Sequence, residues 1–183
     1  MRIISGQFRG RKLKTLEGMN TRPTADRVKE SLFNILNSKV YDSKILDLFA
    51  GSGALGLEAL SRGAVSCLFV DSSKEAINIV KENIKLCKIE EKAKVVNKDY
   101  LEVLKSTNEK FDIIFVDPPY SKGIEIIVLE NVKNILSDEG IVIIETDQTD
   151  ITPEEINGLA KYDSRKYGRT IISFYAMNKN GVL

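Results

Sequence analysis

No histidine occurs anywhere in the 183 residues. That removes the commonest general base and argues against a catalytic zinc site, so no metal is expected. Cysteine is nearly as scarce. Cys67 stands in an apolar run and Cys87 on an expected helix, so both read as core fillers in a chain of the reducing cytoplasm. No apolar run approaches the roughly 18 residues of a membrane span. The opening Met1-Arg2-Ile3-Ile4-Ser5-Gly6 is too short in apolar residues for a signal peptide. Repeats, low-complexity segments and long linkers are also missing, and the length fits one domain with a modest extension.

The chain does have a stretch around which the rest is organised, Lys44 to Glu58, KILDLFAGSGALGLE. A short apolar run carrying one acid, Asp47, leads into Ala50-Gly51-Ser52-Gly53-Ala54-Leu55-Gly56 and then a helical pattern. Strand, glycine turn and helix open a pocket at the carboxyl end of the first strand of an α/β sheet. Glycines there let the backbone approach a ligand closely. An acid just before the turn repels a pyrophosphate and suits a ligand that is cationic or rich in N–H and hydroxyl donors. S-adenosylmethionine, with an ammonium, a sulfonium and a ribose, answers that description.

The net charge of +1 is unevenly placed. Residues 1–44 carry ten Lys/Arg against four acids, which is +6 and leaves −5 for the remainder. Such asymmetry points to a nucleic-acid-binding arm on a more acidic body. Phe8, Gly6, Gly10 and Gly18 are interleaved with the charges. Arg2, Arg9, Arg11, Lys12, Lys14 and Arg22 are the candidate phosphate contacts, which would hold RNA without reading its sequence. The division falls near 40–44, giving an arm of hairpin and helix over 1–43 and a catalytic domain over 44–183.

Taken in order, residues 1–20 read as short strands around turns at Gly6 and Arg9-Gly10, forming a small hairpin. Pro23 marks an extended stop, and Thr24 is placed to cap a helix whose Val28, Leu32, Ile35 and Leu36 share one face. From Lys44 the pattern alternates. Strands are expected over 44–50, 66–70, 94–97, 111–116 and 141–145. Helices are expected over 54–62, behind a capping box Ser72-Ser73-Lys74-Glu75, after Asp99-Tyr100, and over 123–136. Asp138-Glu139-Gly140 reads as a turn. Thr152-Pro153-Glu154-Glu155 has the signature of another helix start. Residues 162–167 and 170–177 flank Gly168-Arg169 as a closing hairpin.

Two motifs carry chemistry. Gly51-x-Gly53-x-x-Gly56 matches the dinucleotide fingerprint, with Asp71 twenty residues on, so an NAD-dependent oxidoreductase is one reading. Asp47 argues against it, as does a further acid after strand three, Asp99. The second motif, Asp117-Pro118-Pro119-Tyr120, ends the fourth strand. Its prolines withhold backbone N–H groups, so the turn presents carbonyl oxygens and a carboxylate. That surface suits an exocyclic NH₂: Asp117 takes one N–H, the Pro118 carbonyl the other, and Tyr120 offers a stacking face.

These residues together resemble the motifs of class I S-adenosylmethionine-dependent methyltransferases acting on amino groups. Arg2-Ile3-Ile4-Ser5-Gly6, Arg9-Gly10-Arg11-Lys12-Leu13 and the Thr21–Glu30 segment narrow the match. The chain closely resembles the RsmD family of bacterial 16S rRNA (guanine-N2)-methyltransferases over nearly its whole length. One departure is Asp71, where many relatives carry glutamate. The resemblance implies a Rossmann-like fold: a seven-stranded, mostly parallel α/β sheet with helices on both faces and an antiparallel strand from the last hairpin. It implies methyl transfer to N2 of one guanine within the small ribosomal subunit, yielding S-adenosylhomocysteine, with no obligate protein partner. In that reading Asp47, Gly51 and Gly53 flank the methionine part, Asp71 with Ser72 the ribose, and Asp99 with Tyr100 the adenine. Asp117, Pro118 and Tyr120 are catalytic. DNA adenine enzymes share Asp-Pro-Pro-Tyr, and protein glutamine enzymes usually show asparagine in place of Asp117. A binding factor that keeps an inactive methyltransferase fold is a further rival.

Overall fold

A computed structural model of the chain describes residues 1–16, 23–119 and 123–178. Arg22 and Tyr120 lie outside the described residues. The elements are α1 (Pro23–Leu36), β1 (Lys44–Asp47), α2 (Ala54–Ser61), β2 (Ser66–Asp71), α3 (Lys74–Cys87), β3 (Ala93–Asn97) and α4 (Tyr100–Ser106). Then follow β4 (Phe111–Val116), α5 (Ile124–Asn131), β5 (Leu136–Asp147), β6 (Glu155–Ile156), β7 (Leu159–Tyr167) and β8 (Thr170–Met177).

One sheet runs in the order β3-β2-β1-β4-β5-β8-β7-β6. The first five strands are parallel, and β8, β7 and β6 pair antiparallel. Strand residues alternate between the two faces. Ile45, Phe69, Phe115, Ile143 and Phe174 join α1, α2 and α3 on one side. Leu46, Val70, Ile114, Ile144 and Tyr175 join α4 and α5 on the other. Burial on both faces explains why β4 reads as a nearly continuous apolar run. Cys67 and Cys87 are both buried, as their apolar surroundings imply. Among the described residues no helix is long and apolar enough to cross a membrane.

The structure corrects several expectations. Eight strands form where seven were expected, because Thr152–Glu155 starts no helix. Asn157 and Gly158 instead take left-handed backbone (φ +49° and +79°), the tight-turn signal that the capping-box pattern masked. The turn pairs Ile156 with Leu159 and Glu155 with Ala160, adding β6 at the sheet edge. The helix expected to run to Leu136 ends at Asn131, and β5 begins at Leu136 through Asp138-Glu139-Gly140, with a register shift opposite Phe111. Burial of Ile135 and Leu136 decides that exit. The helix of the arm begins at Pro23, so proline takes the first position and Thr24 lies inside the first turn. Ser73, not Ser72, caps α3 by accepting from the Ala76 N–H at 3.3 Å. Among the described residues the expected hairpin in 1–20 is short: Arg2 bridges Lys12, the Ile3 N–H donates to the Arg11 carbonyl (3.0 Å) and the Leu13 N–H to the Met1 carbonyl (3.1 Å), around turns with left-handed Gly6 and Gly10.

The arm docks on α2. The Glu58 carboxylate, fully buried, accepts from the Ile4 N–H (2.7 Å), the Ser5 N–H (3.0 Å) and Arg62 Nε (2.8 Å), with Lys29 Nζ at 3.2 Å. Burial lowers the Lys29 pKa, and Glu58 opposes that shift. A Cβ on Gly6 would sit 1.9 Å from the Ser61 carbonyl oxygen, so only glycine allows this approach. Glu58→Ala leaves Lys29 buried without its counter-charge and frees two arm N–H groups. The expected loss is about 3–5 kcal/mol of unfolding free energy in urea denaturation. A loss under about 1 kcal/mol, the value of an exposed pair, would contradict the hub.

Candidate active site

The carboxyl edge of the parallel strands carries the site. After β1 the Leu48 N–H donates to the Phe115 carbonyl (3.0 Å) and the Ala50 N–H to the Val70 carbonyl (2.8 Å), so the loop stays splayed between its neighbours. Gly51 and Gly53 then turn left-handed (φ +53° and +78°). Nothing lies within 4 Å of where a Gly51 Cβ would project, so the backbone there faces open space. Asp71 holds this turn from β2: Oδ2 accepts the Gly51 N–H at 2.9 Å and Oδ1 the Ser73 N–H at 2.8 Å. Asn83, fully buried on α3, donates to the Ser52 carbonyl (2.9 Å) and the Lys14 carbonyl (3.0 Å), and accepts the Lys14 N–H (2.8 Å). It ties the glycine loop to the arm.

Acids line the edge. Asp47 is 2% exposed and accepts the Gly56 N–H at 3.0 Å. Burial pushes its carboxyl up to about 7; the Gly56 N–H opposes the shift and the Asp71 charge adds to it. Asp99 caps α4 by accepting the Leu101 N–H (2.8 Å), with Tyr100 beside it against the Phe49 ring at 5.1 Å. Ser72 lies between Asp71 and the cap, its carbonyl accepting from Asn97 Nδ2 at 2.9 Å.

Asp117 ends β4 and is open to solvent, whereas Pro118 behind it is buried. Protein nonetheless crowds its carboxyl from behind. That desolvation, then the charges of Glu145 and Asp47, pushes its pKa well above the ordinary carboxylate range. Glu145 is the residue that the sequence reading missed. It follows Ile144, the register partner of Val116, and so stands beside Asp117. The signal was available, since strand five was expected to end on it as other strands end on acids.

The edge fits the implied cofactor. Open space lies over Gly51, carboxylates stand at the ends of β1 and β2 and after β3, and the described backbone of the Asp117 turn, proline at 118 and 119, offers few N–H groups. Of the arm cations, Arg9, Arg11 and Lys12 are exposed, with Arg11 5.9 Å from the Phe8 ring centroid. Arg2 pairs with Asp26 (3.6 Å) and Lys14 with Glu82 (2.7 Å) across open surface.

A model of the family described as "Conserved hypothetical protein 95" matches residues 1–176. The chain belongs to this family. Among its relatives is "Putative rRNA methyltransferase YlbH" of Bacillus subtilis, 39% identical over 96% of this chain and 98% of that protein. "Ribosomal RNA small subunit methyltransferase D" of Haemophilus influenzae is 42% identical over 84% and 83%. Of solved structures, the yhhF chain of Escherichia coli superposes with a TM-score of 0.87 at 34% identity, covering 97% of each chain. The family and its methyltransferase fold thus agree with the resemblance drawn from the motifs.

The raised Asp47 pKa has a signed consequence. The folded chain holds a proton there that the unfolded chain, with the group near its ordinary 3.8, has lost. This contribution to stability is therefore present at low pH and declines as pH rises from about 4 to about 7, by on the order of 4 kcal/mol. Urea unfolding of wild type and Asp47→Asn across that range should show a shallower slope in the variant, the remainder coming from Asp117, whose carboxyl is also raised. Parallel curves would contradict the assignment.

Proposed function

We propose that the chain is an S-adenosylmethionine-dependent methyltransferase that modifies the exocyclic N2 of a guanine in 16S rRNA of the small ribosomal subunit. The observation that carries the reading is the Asp117-Pro118-Pro119 turn. It stands on the same sheet edge as the open Gly51 backbone and Asp47, with Glu145 alongside. Family membership, with relatives named as rRNA methyltransferases, supplies the substrate class.

S-adenosylmethionine, when bound, supplies an electrophilic sulfonium methyl group and leaves as S-adenosylhomocysteine. The chain's residues position the reactants. Gly51 and Gly53 would keep side chains away from the methionine part, and Asp47 would be the carboxyl to balance its ammonium. Asp71 already holds the loop through both carboxylate oxygens and has lone pairs left for ribose hydroxyls. Asp99 caps α4 with Oδ1, which leaves its other oxygen to accept from an adenine amino group were the cofactor bound. Asp117 accepts one N2–H and the Pro118 carbonyl the other, which turns the nitrogen lone pair toward the methyl group. Tyr120 is assigned the stacking face for the base. Catalysis of this kind is mostly placement, with reacting atoms at about 3–3.5 Å.

Tritiated S-adenosylmethionine with small subunits lacking the modification should label RNA as N2-methylguanine. Asp117→Ala should lose at least ~100-fold of that label while cofactor affinity stays within about twofold. Label in DNA or protein would replace the substrate, and lost cofactor binding would contradict the division of roles.

The pH profile gives a second test. Asp117 accepts best as a carboxylate, so transfer should rise along an acid limb, and Glu145→Gln, which removes a charge that raises the Asp117 pKa, should move that limb to lower pH. An unmoved limb would remove Asp117 ionisation from the rate.

A further inference from the structure

We infer that the β7–β8 turn is a second nucleic-acid contact, in which Lys166 and Arg169 bind phosphates of the RNA strand that carries the target base. The inference rests on the rRNA methyltransferase reading and extends it to a turn on the other side of Asp117 from residues 1–16.

Placement comes first. Val116 pairs with Ile144, and Asp147 pairs with Thr170, so the turn rises from the same edge as Asp117. It lies two strand spacings, about 10 Å, to the side and three residues, about 10 Å, further out. The arm packs over α2 and α3, on the β1–β3 side of Asp117, and the turn stands on the β5–β8 side. A strand laid across the pocket therefore passes between two basic elements.

The turn is also held in advance of any ligand. Two residues, Gly168 and Arg169, close it between paired Tyr167 and Thr170. The Arg169 carbonyl accepts the Gln148 N–H at 2.7 Å, and the Tyr167 hydroxyl lies 2.5 Å from Ser31 Oγ on α1. Arg169 Nε donates to Asp147 Oδ2 at 3.1 Å. Asp147, itself 8% exposed, is fixed by the Thr149 N–H (3.1 Å) and hydroxyl (2.9 Å).

The Arg169 side chain remains 76% exposed, and among the described residues its Nη groups make no hydrogen bond. An ion pair with one partner so open contributes little stability. Its effect is orientation: an arginine gripped at Nε presents its outer fork, the geometry that suits phosphate. Lys166 and Arg165 add charge beside it, with Arg165 tied to Asp163 at 3.0 Å.

The test is the salt dependence of binding to naked 16S rRNA by wild type, Lys166→Gln and the Lys166→Gln/Arg169→Gln pair. Each lost phosphate contact should lower the slope of log K against log salt by about 0.7–0.9, so the pair loses about 1.4–1.8. Cofactor affinity and the thermal midpoint should hold. The single Lys166→Gln variant leaves the Asp147 latch intact, so its smaller slope cannot come from a disturbed turn. Wild-type affinity and slope in both variants overturn this inference and leave the methyltransferase reading standing. Absence of RNA labelling by wild type removes that reading and the inference together.

Discussion

Glu58 has no exposure to solvent and yet carries a charge, which fixes what can surround it. A buried carboxylate must be paired and hydrogen-bonded, and here the partners come from three separate segments: two backbone N–H groups of the arm, Lys29 of α1 and Arg62 of its own helix. The arm cannot leave without exposing an unpaired charge in the core. Arg62 also lies 4.9 Å from the centroid of the Phe33 ring, which packs against Phe115 of β4. The same few residues thus bind a basic N-terminal segment to the strand that ends in Asp117.

From that junction the site inherits its geometry. The helix that carries Glu58 begins directly after Gly53, so the glycine loop and the anchor of the arm join one rigid element. Asp71 and Asn83 grip the loop from β2 and α3, and Asn83 reaches back to Lys14. The arm and the glycine loop therefore share Asn83 as a partner.

Electrostatics at the edge run in one direction. Asp47, Asp71, Asp117 and Glu145 repel one another, and burial raises the first and third. A site of this kind rejects phosphate and favours a cation and N–H donors, which separates it from dinucleotide enzymes that share the same glycine spacing. The basic groups stand off to the sides, in the arm and on the β7–β8 turn, where a polyanion can be held without entering the pocket.

Much of this was legible in the chain because it depends on local rules. Alternating apolar runs and glycine stops located five parallel strands and most helices, and acids after strand ends located Asp47, Asp71, Asp99 and Asp117. The misreadings share a cause. Thr152–Glu155 has a good helix-start pattern, but the Asn157-Gly158 turn and burial of Leu159 in the sheet outweigh it. Likewise Ser73 replaces Ser72 as the cap because Asp71 takes the Ser73 N–H and sets where α3 begins. Most element types and the family were legible in the chain, since these follow from periodicity, backbone chemistry and motif spacing. Tertiary structure alone put Glu145 beside Asp117, Glu58 against the arm, and the β7–β8 turn on the edge that carries Asp117. Each of these depends on how strands and helices pack, which brings together residues 28 to 54 positions apart that no local pattern connects.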